Sequence, residues 1–143
     1  MTLEVDAIKM PLWQMLFGFS GRIRRRDFWL YSCLNALAGL TVNFGLTLAF
    51  FLPMINSHTM VTPAWSSYAM LAAMAPFAWV ASALNIKRLH DIGRSYRWWR
   101  INLIPVLGWV WTFMECGLRD GNPGTNPYGP PPKGMGQVAD VFE

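Results

Sequence analysis

The 143-residue chain is 53% hydrophobic and only 14% charged, with a formal net charge of +4, against about 45–50% apolar and about 25% charged in soluble domains of ordinary composition. A chain this short has too little interior to bury such an apolar excess, which excludes a soluble globular domain and leaves one embedded in a membrane. Its two cysteines, Cys33 and Cys116, both fall in apolar runs, where they pack as small hydrophobes rather than build a disulfide framework or a paired metal site.

Residues 1–10 form a mixed N-terminal tail. Glu4 and Asp6 come before the first apolar run and the arginine cluster comes after it, the reverse of the order in a secretory signal, so the first true span is read as a retained anchor. Residues 11–19 are too short to cross a bilayer and rich in bulky apolar side chains. With Pro11 suited to a first turn and Gly18 to an end, they predict an interfacial helix, with Arg22 to Arg26 beside lipid phosphates.

Spans of about 20 residues, the length that crosses roughly 30 Å of hydrocarbon, are predicted over about 28–52, 67–87 and 98–118. In the first, Asn35, Gly39, Asn43 and Thr47 recur every four residues, a stripe that belongs against another helix because amides facing lipid forfeit hydrogen bonds. The second is rich in alanine, which lets helices approach closely and predicts the central position. The third is weaker: it carries Arg100 and Glu115, and Pro105 and Gly108 offer it the alternative of turning back as a re-entrant hairpin. Residues 121–143 form a Gly/Pro-rich tail that excludes helix. The implied fold is all-α: a three-helix transmembrane bundle over 11–120 with a short interfacial helix before it and the tail after it.

Basic residues cluster before the first span and between the second and third, while the loop from Pro53 to Ser66 has none. The positive-inside rule therefore puts the N-terminus and the His90 segment in the cytoplasm. Three spans would carry the tail to the outside.

Three patterns occur in order: Gly21-Arg22-Ile23-Arg24-Arg25-Arg26-Asp27-Phe28-Trp29, then Arg88-Leu89-His90-Asp91-Ile92-Gly93-Arg94-Ser95 with Trp98-Trp99, then Gly124-Thr125-Asn126-Pro127-Tyr128-Gly129-Pro130. Together with Ile104-Pro105-Val106-Leu107-Gly108-Trp109 they resemble the bacterial inner-membrane family called domain of unknown function 805, over roughly residues 12 to 132. The resemblance implies a small, multi-pass helical protein of the bacterial inner (plasma) membrane and no established activity. It highlights Gly21, Arg22, Arg25, Phe28 and Trp29, then Arg88, Leu89, His90, Asp91 and Arg94, then Asn126, Tyr128 and Gly129. Pro127 departs from the basic residue common at its position.

Two functional classes fit the polar segment at 87–95. One is an interfacial site in which His90 acts as acid or base, Asp91 orients it, and Arg22, Arg25, Arg88 or Arg94 hold a phosphate, making the protein an enzyme on a phosphorylated lipid. The other, which the sequence favours, is a structural joint: Asp91 pairs with an arginine of the first motif and His90 bonds to backbone. That protein is a non-enzymatic module whose basic face engages anionic membrane lipids or a membrane-protein partner. A subunit of an oligomeric transporter is a weaker third class. No metal or cofactor is expected, since His90 has no second histidine or cysteine near it in sequence. Nor is nucleic acid an expected partner, because membrane orientation already accounts for the positive charge.

Overall fold

The computed structural model describes residues 11–56 and 63–132. The predicted N-terminal tail 1–10, loop residues 57–62 with His58, and the tail from Lys133 onward lie outside the described residues.

Helix α1 (Leu12–Phe17) follows Pro11 and stops at Gly18, whose N–H bonds the Gln14 carbonyl at 3.0 Å. Helices α2 (Arg25–Asn56) and α3 (Ala64–Asp91) are long and pack along one another. Both extend past the apolar runs into charged sequence. Asp27 lies in the first turn of α2, and Arg88 in the last turn of α3, each sign favourable at that helix end. Both helices are long and apolar enough to cross a membrane.

Two residues of the Asn35 stripe lie at the α2–α3 contact. The Asn35 amide donates to the Phe77 carbonyl at 3.1 Å, and buried Gly39 lets the Phe77 ring rest on the α2 backbone. Thr47 instead bonds back to the Asn43 carbonyl of its own helix at 2.8 Å. The alanine-rich α3 is central, in contact with α1, with α2 and with the segment that follows it.

The third span expected over 98–118 is not a single helix. Tyr96–Leu103 is a 3₁₀ helix, Leu107–Thr112 is the short α4, and Phe113–Leu118 is a π-helical turn. Between the first two the chain reverses at Pro105-Val106-Leu107. Val106 takes φ 67° and ψ −59° while the Leu107 N–H bonds the Pro105 carbonyl at 2.8 Å, a γ-turn of the strained, positive-φ kind. The two arms then pack together. Trp98 stacks on Trp111 at 5.8 Å, and the Thr112 hydroxyl donates to Asn102 Oδ1 at 2.6 Å. Gly108 makes the reversal possible, since a Cβ there would sit 2.4 Å from the Ile101 carbonyl oxygen and 2.6 Å from the Asn102 Cα. Pro105 and Gly108 thus stand where the chain reverses, and among the described residues two helices have the length and apolarity to cross a membrane.

The hairpin returns the chain to the end of α3. The tail consequently lies beside Gly21–Arg24 and His90, not at the opposite end of the molecule as three spans would require. The buried core sits at this same end, where Ile23, Phe28, Val80, Leu84, Leu89, Ile92 and Cys116 form one cluster.

Candidate functional site

Three segments far apart in sequence meet at the C-terminal end of α3. Asp91 is placed there by the last turn of α3, Arg22 by the strand of chain just before α2, and Arg88 by the turn of α3 that precedes Asp91. All three are buried. Arg22 Nε donates to Asp91 Oδ1 at 3.0 Å, and Arg88 Nη1 donates to Asp91 Oδ2. One carboxylate thus faces two guanidinium groups, each charge-assisted bond being stronger than a neutral one.

A surplus positive charge buried with one carboxylate needs further acceptors. Backbone carbonyls supply them. Arg22 Nη1 donates to the Gly124 carbonyl at 2.8 Å and the Gly129 carbonyl at 3.2 Å, and Nη2 donates to the Asn122 carbonyl. Arg88 reaches the Cys116 carbonyl at 2.8 Å through Nε and the Arg119 carbonyl through Nη2. Arginine suits this task because its planar fork addresses several acceptors at once. The arginines thereby fix the tail and the end of the hairpin to α2 and α3.

The tail is shaped to fit. Asn126 and Gly129 close a tight turn through paired backbone bonds of 3.2 and 3.0 Å, with Pro127 at its first corner. The Asn126 side chain accepts the Tyr128 N–H at 2.9 Å and donates to the His90 carbonyl at 2.8 Å. This turn holds the Tyr128 ring flat against the His90 imidazole, centroids 3.9 Å apart and planes 4° apart. The other contact of His90 is polar, Nδ1 lying 3.3 Å from the Gly21 carbonyl. Pro127, the departure from the family pattern, sits at a turn position that favours its fixed φ. Gly121 is required by proximity: a Cβ would meet Asp91 Oδ2 at 2.0 Å.

The remaining predicted residues lie around this centre. Phe28 enters the core, and Trp29 Nε1 donates to the Gly117 carbonyl at 3.1 Å. Arg25 is half exposed, bonding the Leu118 carbonyl at 2.9 Å and Asp120 at 3.0 Å. Arg94 belongs to a separate cluster at the mouth of the hairpin, with its guanidinium 4.6 Å from the Trp98 ring centroid and 3.2 Å from Glu115. Glu115 also pairs with Arg119 at 3.0 Å. Of the four arginines expected at a phosphate, Arg22 and Arg88 converge on Asp91, while Arg25 and Arg94 do not.

Lys87 opens the polar segment at 87–95, but its sequence position assigns it no partner. It is fully buried, and its ammonium donates to the carbonyls of Gln14, Met15 and Gly18 at 2.8, 2.5 and 2.5 Å. A cation at a helix C-terminus satisfies carbonyls that the helix leaves unpaired, so Lys87 docks α1 on α3. Trp79 Nε1, bonded to the Phe17 carbonyl at 3.2 Å, assists two turns away. The available signal was a lysine at the edge of the apolar run of α3, together with a short helix that ends at glycine.

Comparison with known proteins places these motifs. Residues 16–130 match the family described as protein of unknown function (DUF805). The chain is 35% identical over 117 residues to inner membrane protein YhaI of Escherichia coli K12, covering 81% of this chain and 86% of that one. It is 31% identical to uncharacterized protein YiiR (84% and 89% covered) and 30% identical to inner membrane protein YhaH (81% and 88%), both of the same organism. No solved structure matches the chain.

Proposed function

The chain belongs to the DUF805 family, and on that premise we propose that it is a two-span inner-membrane module whose shared motifs form a structural joint, presenting a basic cytoplasmic face to lipid or to a membrane partner. The observation that carries this reading is the sharing of Asp91 between Arg22 and Arg88, with the remaining guanidinium donors directed to backbone of the hairpin end and the tail. Donors committed in this way hold segments together and are not presented to a ligand. The Tyr128 ring over His90 supports the same reading, since it covers one face of the imidazole.

Two relatives are named as inner membrane proteins, and α2 and α3 have the length and apolarity to span. Every lysine and arginine among the described residues lies just before α2 or in its first turn, at the end of α3 or after it, and residues 53–66 have none. This asymmetry supports an N-terminus, a joint and a tail that all face the cytoplasm, with the apolar hairpin tip after Arg100 dipping into the membrane and returning.

The alternative of an enzyme acting on a phosphorylated lipid is separated from the joint by His90→Ala. A joint predicts a folded protein with slightly reduced stability and an unchanged lipid profile in the host membrane. Accumulation of a phosphorylated lipid in cells producing the folded variant would overturn the reading.

A further inference from the structure

We infer that the exposed face of the 3₁₀ helix Tyr96–Leu103, through Arg97 and Arg100, is a docking surface for the headgroups of anionic phospholipids. The inference rests on the proposed cytoplasmic location of this end and names the lipid contact within it.

Nine arginines lie among the described residues, and six of them have guanidinium partners: Arg22, Arg24, Arg25, Arg88, Arg94 and Arg119 bond carboxylates or backbone carbonyls. Arg26, Arg97 and Arg100 have none among the described residues, and all three are exposed. Arg97 and Arg100 are further distinguished by their helix. Three residues per turn and a rise of about 2.0 Å place them one above the other, about 6 Å apart along the axis. Two like charges so close repel each other unless counter-charge lies beside them, and no carboxylate of the described residues does so.

What surrounds the pair identifies that counter-charge. Tyr96 and Trp98 are exposed on the same helix, and the apolar hairpin tip, with Leu103 and Ile104 exposed, follows directly. Amphipathic aromatic rings settle at the boundary between headgroups and acyl chains, and apolar side chains beyond them enter the hydrocarbon. Phosphate is the anion at that depth. Arginines interleaved with interfacial aromatic residues, each capable of a forked contact with phosphate oxygens, complement a surface bearing net negative lipid, in preference to a zwitterionic one whose own cation cancels the field.

The test is native mass spectrometry of the full chain in mild detergent, titrated separately with phosphatidylglycerol and with phosphatidylcholine. Wild-type protein is expected to bind phosphatidylglycerol the more tightly. In Arg97→Gln/Arg100→Gln that affinity falls about 25-fold, from about 5-fold per arginine near an anionic surface. Arg97→Lys/Arg100→Lys keeps the charge and most of the binding, and Arg25→Gln, whose guanidinium is already engaged, changes affinity by less than about 2-fold. Should the double Gln variant lose its fold, each single variant is expected to lose about 5-fold. Equal affinity of wild type for the two lipids, or Gln variants that bind phosphatidylglycerol as wild type does, would overturn the inference. The joint is tested at Arg22, His90 and Asp91, all of which these variants leave in place, so failure of the one is separable from failure of the other.

Discussion

At the C-terminal end of α3 a charged stretch is deeply buried, with Lys87 and Arg88 fully enclosed and Asp91 only 3% exposed, whereas farther back on the same helix Leu71 and Trp79 lie 69% and 52% exposed. On α2 the same contrast separates buried Phe28, beside the joint, from bare Leu40 and Phe44 farther along the helix. Both arrangements follow from one rule applied in a bilayer. Hydrocarbon solvates leucine and phenylalanine without any need to bury them, while a charge or free carbonyl at that depth requires a partner within the protein. The apolar region is therefore specified loosely, by length and hydropathy, and the polar end is specified residue by residue.

The comparison breaks most readily at Asp91. Asp91→Ala leaves Arg22 and Arg88 buried together without their carboxylate, and removal of one partner from a buried pair costs about 3–5 kcal/mol. Thermal unfolding in detergent should show the largest loss of any single substitution here, and a loss under about 1 kcal/mol would mean that the carbonyls alone hold the arginines. Next in size is Gly108→Ala, whose Cβ meets backbone of the opposite hairpin arm. Overpacking of this kind costs about 1–3 kcal/mol, and Trp98–Trp111 stacking, followed by near-ultraviolet circular dichroism, should weaken.

Asn126→Ala is milder. It removes the bonds to the His90 carbonyl and the Tyr128 N–H, a loss of about 1–2 kcal/mol. Hydrogen exchange should detect it as faster exchange in the tail turn, with the α2–α3 pair unaltered. The smallest effect belongs to the apolar region: Leu40→Ile on the exposed face of α2 should change stability by under about 0.5 kcal/mol. A larger penalty would show that this face contacts protein rather than lipid.

Much of this was legible in the sequence because the relevant physics is local. The uncharged runs marked α2 and α3, Pro11 and Gly18 bracketed α1, and the every-fourth-residue spacing that begins at Asn35 and Gly39 marked a face that meets another helix, which is α3. The motif residues Arg22 and Asp91 were named as possible partners from charge alone. The third segment was less legible. Its apolar composition reads as a span, and the reversal depends on a γ-turn at Val106 and on backbone contact at Gly108, neither of which leaves a periodic trace. The tail was harder still. Gly/Pro content excludes helix without saying where the chain goes, and Arg22 recognises it through the carbonyls of Asn122, Gly124 and Gly129, groups that every residue carries. The docking role of Lys87 was hidden for the same reason, since its acceptors are main-chain oxygens.

The joint is tested most directly by a double-mutant cycle on Arg22→Gln and Asp91→Asn, with unfolding free energy measured for the full chain in lipid. Two groups that act as a unit should show a coupling energy of about 2 kcal/mol or more, the double variant being far less impaired than the sum of the singles. Effects that add within about 0.5 kcal/mol would mean that the two residues contribute independently, and would contradict the account of Asp91 as the point at which the first motif, α3 and the tail are joined.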